Sequence, residues 1–369
     1  MKVNFFEYQK LYLENKDQYK KIFDDVCTRG AFILQKDLEN FEKELAKFLK
    51  VKYALGINDG TNALIISLMA NNIGNGDEVI VPSHTYIASA ASIKLVGAKP
   101  VFADIDLYDN LVDPKDIEKK ITKKTKAIMP VHVNGRICDM SQIVKISKKY
   151  KLKIIEDGAQ AIGAMYKGKS IGSLGDCSSI SFYPAKVLGC FGDGGAIVTN
   201  NTQLFEKLKL LRDHGRDKKG DIKLWGTNAR LDNLQAAFLN FKLKDLKNII
   251  HTRREIANLY SKKLSNLKEL VLPPKPNEDN SRFDVFQNFE IRAKKRDSLK
   301  KYLKKNKIGT LIQWSGKGVH QIKPLKIKAK LPKTNLFFKE TIMLPIHPFL
   351  SKKEINYICD KILLFYKKR

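Results

Sequence analysis

Short apolar runs alternating with helical stripes set the pattern of the chain. Residues 37–50 (DLENFEKELAKFLK) place Leu38, Phe41, Leu45, Phe48 and Leu49 on one helical stripe. Asp37 stands where an N-cap belongs and Glu39 suits the positive end of the helix dipole. Asn40 occupies the position where a capping box would carry Glu or Gln, so the start signal is partial. The runs KYALGIN, EVIVPS, KPVFADI, KAIMPVHV and KIIEDGA then predict strands. Helices are predicted between them: from Thr61, through 86–96, near 114–121 and near 139–149. This alternation predicts an α/β fold with a mostly parallel sheet covered on both faces. SSISFYPA and GAIVTN predict two more strands, and 202–214 and 229–248 are helical by pattern.

The character changes near 245–275. A charged helix at about 245–266 runs into VLPPKPNEDNS, whose Pro, Asn and Asp mark a loop. Beyond it, FQNFEIRA, the helix RDSLKKYLKKN, the strand-like GTLIQW and the helix EINYICDKILLFY predict a small α+β domain. The expected division is a large domain with an N-terminal arm at 1–245 and a small domain at 246–369. A chain of 369 residues has room for both, since single cores stop growing at roughly 250–300 residues.

Composition removes several function classes. The first residues, MKVNFFEYQKLYLENKD, carry charges every few positions, unlike a secretory signal or membrane anchor. No run reaches the ~18 uncharged apolar residues of a spanning helix. The five cysteines (Cys27, Cys138, Cys177, Cys190 and Cys359) are odd in number, spread out and without a C-x-x-C pair. That predicts reduced thiols in a cytoplasm, with neither a disulfide framework nor a zinc site. The six histidines lack metal spacing too, so no metal is expected. The net charge of +29 raises a nucleic-acid hypothesis. The lysines are scattered in ones and twos, however, and no arginine-rich arm or helix-turn-helix accompanies them. A solvated lysine-rich surface is the better account, and its positive field would favour approach of a phosphorylated substrate.

Two motifs mislead. Residues 163–170 (GAMYKGKS) match the P-loop pattern literally, but the following IGSLGD has no helical period and predicts a turn or hairpin. The glycines Gly189, Gly192, Gly194 and Gly195 lack dinucleotide spacing and precede the strand GAIVTN instead of following one.

The chemistry gathers elsewhere. Lys186, in SFYPAKVLG, lies between a strand end and a glycine-rich turn, with Pro184 stiffening the approach. An amine that forms a Schiff base needs a lowered pKa, through desolvation or a nearby cation. Asp157 ends the run KIIED, at the carboxyl end of a buried strand, where open α/β sheets bind ligands. Such an anion can keep a pyridine nitrogen protonated, as pyridoxal 5'-phosphate (PLP) chemistry requires; the alternative is a turn cap. Gly60 and Thr61 open a helix directly after a strand, the geometry that cradles a phosphate, though a plain helix cap would look the same. Ser181 can add a hydroxyl, and Tyr86 offers a flat face to a ring.

DGTNAL, SHTYIASA, EDGAQAIGAMYKGKSIGSLGD, SFYPAKVLGCFGDGGAIVT, LRDHGR and GTNARLDNLQAA, in this order, resemble the DegT/DnrJ/StrS family of nucleotide-sugar aminotransferases over roughly residues 30–245. The resemblance implies the aspartate-aminotransferase fold (fold type I) and a homodimer with active sites at its interface. It makes Lys186 the Schiff-base lysine and Asp157 the partner of the pyridine nitrogen. Gln160 becomes the hydrogen-bond donor to the cofactor's phenolic oxygen and Tyr86 the stacking ring. Gly60, Thr61 and Ser181 become phosphate ligands, and Asn228 reaches the phosphate of the partner subunit's cofactor. Arg230 is implied to face substrate across the interface. Asp59 departs from the small polar residue common in the family and would weaken cofactor binding unless it points away. Gly158 replaces the usual alanine. Lys186 argues against the family's dehydratases, which carry histidine there.

By the same resemblance the amino donor is L-glutamate and the acceptor a keto-sugar on a nucleoside diphosphate. The form SFYP-x-K-x-LG points to C-3 of a dTDP-linked 3-keto-6-deoxyhexose. A C-4 sugar or aminocyclitol aminotransferase, a dehydratase, and a basic regulatory protein that has kept the fold are the rivals. Trp314 and His320, in LIQWSGKGVHQ, are candidates for the sugar side of the pocket, with Trp314 in the small-domain core as the alternative.

Overall fold

The computed structural model describes residues 1–367, so residues 368 and 369 of the expected small domain lie outside the described residues. The apolar runs form β1 (Tyr53–Ile57), β2 (Glu78–Pro82), β3 (Lys99–Ala103), β4 (Thr125–Ile128) and β5 (Lys153–Asp157). A hairpin of β6 (Met165–Tyr166) and β7 (Lys169–Ser170) follows, then β8 (Cys177–Ser181) and β9 (Gly195–Thr199). Seven strands make one sheet in the order β1-β9-β8-β5-β4-β2-β3. β2, β3, β4, β5 and β8 pair in parallel, whereas β9 runs antiparallel to both neighbours. β2 and β9 are buried along their whole length, as strands covered on both faces must be. The GKS run is a hairpin whose turn residues, Lys167 and Gly168, have left-handed φ of 49° and 74°. No helix opens there to hold a phosphate.

A second sheet combines β10 (Leu270–Val271), β12 (Phe289–Ala293) and β13 (Thr341–Leu344) in antiparallel order, while β11 (Arg282–Phe283) pairs with β6. Among the described residues two large apolar cores result, beside a small cluster of Ile105, Phe337 and Phe338. The helix Leu246–Leu264 serves both, giving Leu246 and Ile250 to the first core and Ile256, Tyr260 and Leu264 to the second. Val319 and Leu331 return to the first core, and Val3 joins the second. Among the described residues no helix is long and apolar enough to cross a membrane.

Several elements differ from the pattern in the sequence. Helix Lys36–Leu49 starts after Gln35, so Asp37 lies inside its first turn and is not the N-cap. The cap comes from a distance: Asn233 Oδ1 accepts the Leu38 N–H at 2.9 Å, and Asn233 Nδ2 donates to Asp37 at 2.7 Å. Residues 229–248 are not one helix. Arg230 bridges to Ile57 and Asp232 to Ile33, which holds this stretch extended until the helix Asn233–Leu243 begins. GTLIQW forms no strand; Leu311 makes a lone bridge to Met343, and Trp314 and Ser315 turn left-handed at φ 48° and 57°. The charged N-terminus carries two helices, Tyr8–Leu13 and Lys16–Thr28, the second held by buried Tyr19 and Val26.

Candidate active site

The carboxyl ends of β4, β5 and β8 open onto a cavity of about 660 Å³ that contains Lys186, Asp157, Gly60, Thr61, Tyr86, Gln160 and Ser181 in its wall. Lys186 follows β8 on a tight loop, where its N–H donates to Tyr183 O at 2.8 Å. Gln287 clamps the peptide on either side: its Oε1 accepts from Val187 N and its Nε2 donates to Ala185 O, both at 2.8 Å. Burial pulls the Lys186 pKa from 10.5 down to about 8, against the opposing pull of the Asp157 charge.

Strand alternation separates the two acids that end β5. Glu156 serves the scaffold: Oε1 accepts from Gly172 N and Gly175 N at 3.0 Å each, and Oε2 lies 2.8 Å from His132 Nε2. Since His132 Nδ1 accepts the Cys138 N–H at 3.2 Å, the imidazole proton sits on Nε2 and is donated to Glu156. Asp157 faces the cavity. Its Oδ2 accepts from Ser89 Oγ at 2.7 Å, and Thr85 Oγ1 lies 2.6 Å from that same hydroxyl. Its Oδ1 caps the next turn by accepting from Ala159 N at 3.1 Å. The carboxylate is therefore both a turn cap and a cavity anion, one oxygen serving each.

Register builds a narrow cradle at one end of the sheet. Gly195 lies opposite Ile57 on one side and Ser181 on the other, so the ends of β1 and β8 and the start of β9 share one row. Helix Gly60–Ala70 opens immediately beyond β1, its free amides and positive end directed at this row. The packing tolerates no side chain: a Cβ on Gly195 would stand 2.5 Å from the Asp59 carbonyl carbon, and one on Gly60 would stand 2.9 Å from Ser181 Cβ. Asp59 is the N-cap of this helix. Its carboxylate accepts from Asn62 N at 2.8 Å and Asn62 Nδ2 at 2.7 Å, yet the residue still belongs to the cavity wall. Its charge is turned partly aside and not removed.

Tyr86 stands at the N-cap of helix Ile87–Leu95 with its ring open to the cavity. Gln160 Oε1 accepts the Asn134 N–H at 2.6 Å, which leaves the Nε2 donor for a ligand acceptor. Trp314 is part of the wall and leans on His84, with ring centres 5.3 Å apart. His320 is not part of that wall. Its ring nitrogens are taken up by Ser83 Oγ at 2.6 Å and Asn335 Oδ1 at 2.8 Å, pinning the loop that carries it. Asn228 and Arg230 also lie off this cavity: Asn228 is exposed and bridges to Asp213, to which Arg230 donates at 2.9 Å. Ser89 and Gln287 escaped the sequence reading. Ser89 sits in SHTYIASA and could have been suspected, whereas Gln287 is 100 residues from its partner Val187, with no local signal.

A desolvated amine, a fixed carboxylate and a helix N-terminus with glycine clearance together fit the amine-reactive, pyridine and phosphate groups of PLP. The model of the DegT/DnrJ/EryC1/StrS aminotransferase family matches residues 14–363. A dTDP-3-amino-3,6-dideoxy-alpha-D-galactopyranose transaminase of Aneurinibacillus thermoaerophilus is 40% identical, over 98% of this chain and 98% of its own. A pleiotropic regulatory protein of Geobacillus stearothermophilus is 38% identical over 100% of this chain and 99% of its own. Among solved structures, S. venezuelae DesV in complex with a ketimine intermediate superposes with a TM-score of 0.94 at 36% identity, covering 99% of this chain and 98% of DesV. The chain belongs to the DegT/DnrJ/EryC1/StrS family of PLP-dependent nucleotide-sugar aminotransferases.

Proposed function

We propose that this protein transfers the amino group of L-glutamate to C-3 of a dTDP-linked 3-keto-6-deoxyhexose, giving a 3-amino-3,6-dideoxy sugar nucleotide and 2-oxoglutarate. The observation that carries the transamination is the Lys186 amine, lowered to about 8 beside Asp157 at a narrow cradle. At pH 7 a pKa near 8 leaves about one-tenth of this amine uncharged, far more than a solvated lysine. Bound PLP supplies an electron sink for negative charge at the donor's α-carbon. The Lys186 amine would take up and return the proton at that carbon. Asp157, fixed by Ser89, holds the proton on the pyridine nitrogen. Gln160 donates to the phenolic oxygen, Tyr86 covers the ring, and Gly60, Thr61 and Ser181 bind the phosphate.

The wall chemistry supports a 6-deoxy acceptor. Leu311, Trp314 and Met343 give it an apolar side, and among the described residues Lys186 is its one Lys or Arg, against Asp59, Asp157 and Asp193. An apolar C-6 methyl suits this side, whereas a uronate carboxylate would find no cation in the described wall besides Lys186. The name of the Aneurinibacillus relative supports the same acceptor and carbon. We also propose a homodimer in the cytoplasm, in which Asn228 and Arg230 serve the partner's cavity. Trp225, 94% exposed, and Ile222, 63% exposed, lie on the segment before them, where a partner surface would cover them.

The test is amination by the PLP-loaded protein with ¹⁵N-labelled L-glutamate and either the 3-keto or the 4-keto form of a dTDP-6-deoxyhexose. Label at C-3 is expected. Label only at C-4 would refute the substrate. The Geobacillus relative's name favours a second reading, a regulatory protein on this scaffold. Its signature would be tight PLP binding without amination of any keto-sugar.

A further inference from the structure

One buried carboxylate has no part in the chemistry above. Glu290, on β12, is 3% exposed, and burial raises its carboxyl pKa. Such a group is costly to bury unless donors surround it. Three do. Thr341 Oγ1, on the adjacent strand, donates to Oε1 at 2.6 Å. Asn134 Nδ2 donates to Oε2 at 2.7 Å, and Gln313 Nε2 to the same atom at 3.0 Å. A carboxyl needed only to join β12 to β13 would have no use for the last two, which come from distant segments.

Asn134 is the link to the cavity. Its backbone is left-handed, with φ 60° and ψ 11°, and its N–H points at Gln160 Oε1, 2.6 Å away. Its side chain is tied on both sides, since Oδ1 accepts from Asn288 Nδ2 at 2.9 Å and Gln313 Nε2 at 2.8 Å. The chain of contacts runs from Glu290 through Asn134 to the Gln160 amide, whose Oε1 is thereby fixed and whose Nε2 must face the ligand. An Asn/Gln amide without such an anchor can flip and present the wrong atom.

We propose that Glu290 is a positioning residue for the cofactor, holding Asn134 so that the Gln160 amide presents its donor to the cofactor's phenolic oxygen. The inference rests on the PLP reading of the cavity and adds to it a residue far outside the motifs. A donor to that oxygen stabilises its negative charge. It does so most when the Lys186–cofactor linkage has lost its proton, because the oxygen then has no internal N–H partner. Loss of the donor therefore makes deprotonation harder.

The test is the pH titration of the holoenzyme's visible absorbance band. Glu290→Leu is expected to raise its midpoint by about one pH unit, the size of a lost hydrogen bond to a charged group. Gln160→Ala should raise it equally, and the double variant should show no further rise, because both changes remove the same contact. Glu290→Gln should titrate like wild type: its Oε1 can accept from Asn134 and Gln313 while its Nε2 donates to Thr341 Oγ1. A purely structural role would lower the melting temperature without moving the midpoint. Should Glu290→Leu not fold, Asn134→Gly keeps the left-handed backbone and removes the tether, and the same upward shift is expected. An unshifted midpoint in Glu290→Leu or Asn134→Gly, beside a shifted Gln160→Ala, overturns the proposal. So does additivity in the double variant. A wild-type protein that takes up no PLP and shows no visible band would sink the cofactor reading itself, and this proposal with it.

Discussion

Asp59 offers a clean separation of two electrostatic roles. As N-cap it stabilises helix Gly60–Ala70 through Asn62 N and Nδ2, but as an anion in the cavity wall it opposes a phosphate on the same first turn. Asp59→Asn keeps the cap, since Asn and Asp cap equally well, and removes the charge. A unit charge about 5–6 Å from a phosphate carrying two charges, at an effective dielectric of 40–80, is worth about 1.5–3 kcal/mol. Screening by physiological salt brings this to about 1–1.5 kcal/mol, a five- to tenfold tightening. Pyridoxamine 5'-phosphate, which forms no covalent bond to Lys186, is the right probe, titrated calorimetrically into cofactor-free protein. The melting temperature should move little in Asp59→Asn, apart from a small loss of dipole interaction, and fall in Asp59→Ala, where the lost cap costs ~0.5–2 kcal/mol of stability. Binding by Asp59→Asn that is unchanged or weaker, with the fold intact, would refute the reasoning. The carboxylate would then be helping the ligand, for instance through the Asn62 side chain it holds.

Other consequences follow from the same geometry. Lys186 has a folded pKa of about 8 against 10.5 unfolded, so between these values the unfolded chain binds the extra proton and stability rises with pH. The stability of cofactor-free wild type minus that of Lys186→Met, from urea unfolding, should climb across pH 8 to 10.5, and a flat difference would contradict a desolvated amine. Asn233→Ala removes a fully buried cap that holds Leu38 N, Ala31 O and Asp37. It should cost about 2–4 kcal/mol in urea unfolding, and a cost below about 0.5 kcal/mol would deny it that role. Gly195→Ala places a methyl against the Asp59 backbone, which cannot give way as a side chain would. Pyridoxamine 5'-phosphate binding should weaken by at least about tenfold, the scale of a 1–3 kcal/mol overpacking penalty. Unchanged affinity would show that the cradle is looser than its register suggests.

The elements that carry the chemistry were mostly legible because they follow local periodicity. KIIED reads as a buried strand ending in two acids, and β5 ends on Asp157 as expected. The glycine and threonine after KYALGIN open a helix, one residue earlier than the pattern suggested. Where local pattern failed, a distant segment had intervened. The helical period at 229–232 lost to bridges with Ile57 and Ile33. GTLIQW has β-forming residues but is not a strand, because after Leu311 meets Met343 the chain turns to bring Gln313 and Trp314 to the cavity. His320, grouped with Trp314 by proximity in sequence, is instead committed to Ser83 and Asn335.

By itself, the sequence determined the α/β alternation, the position of Lys186 after a strand, the acids at a strand end and the helix N-terminus that follows β1, because each is encoded within a few neighbouring residues. Tertiary structure alone decided that Asn233 caps a helix 195 residues away, that Gln287 clamps the Lys186 loop and that Glu290 anchors the Asn134 tether. Those partners are chosen by the order in which strands pair and helices pack. Chain periodicity reports which face of an element is buried, and not which distant side chain will be waiting there.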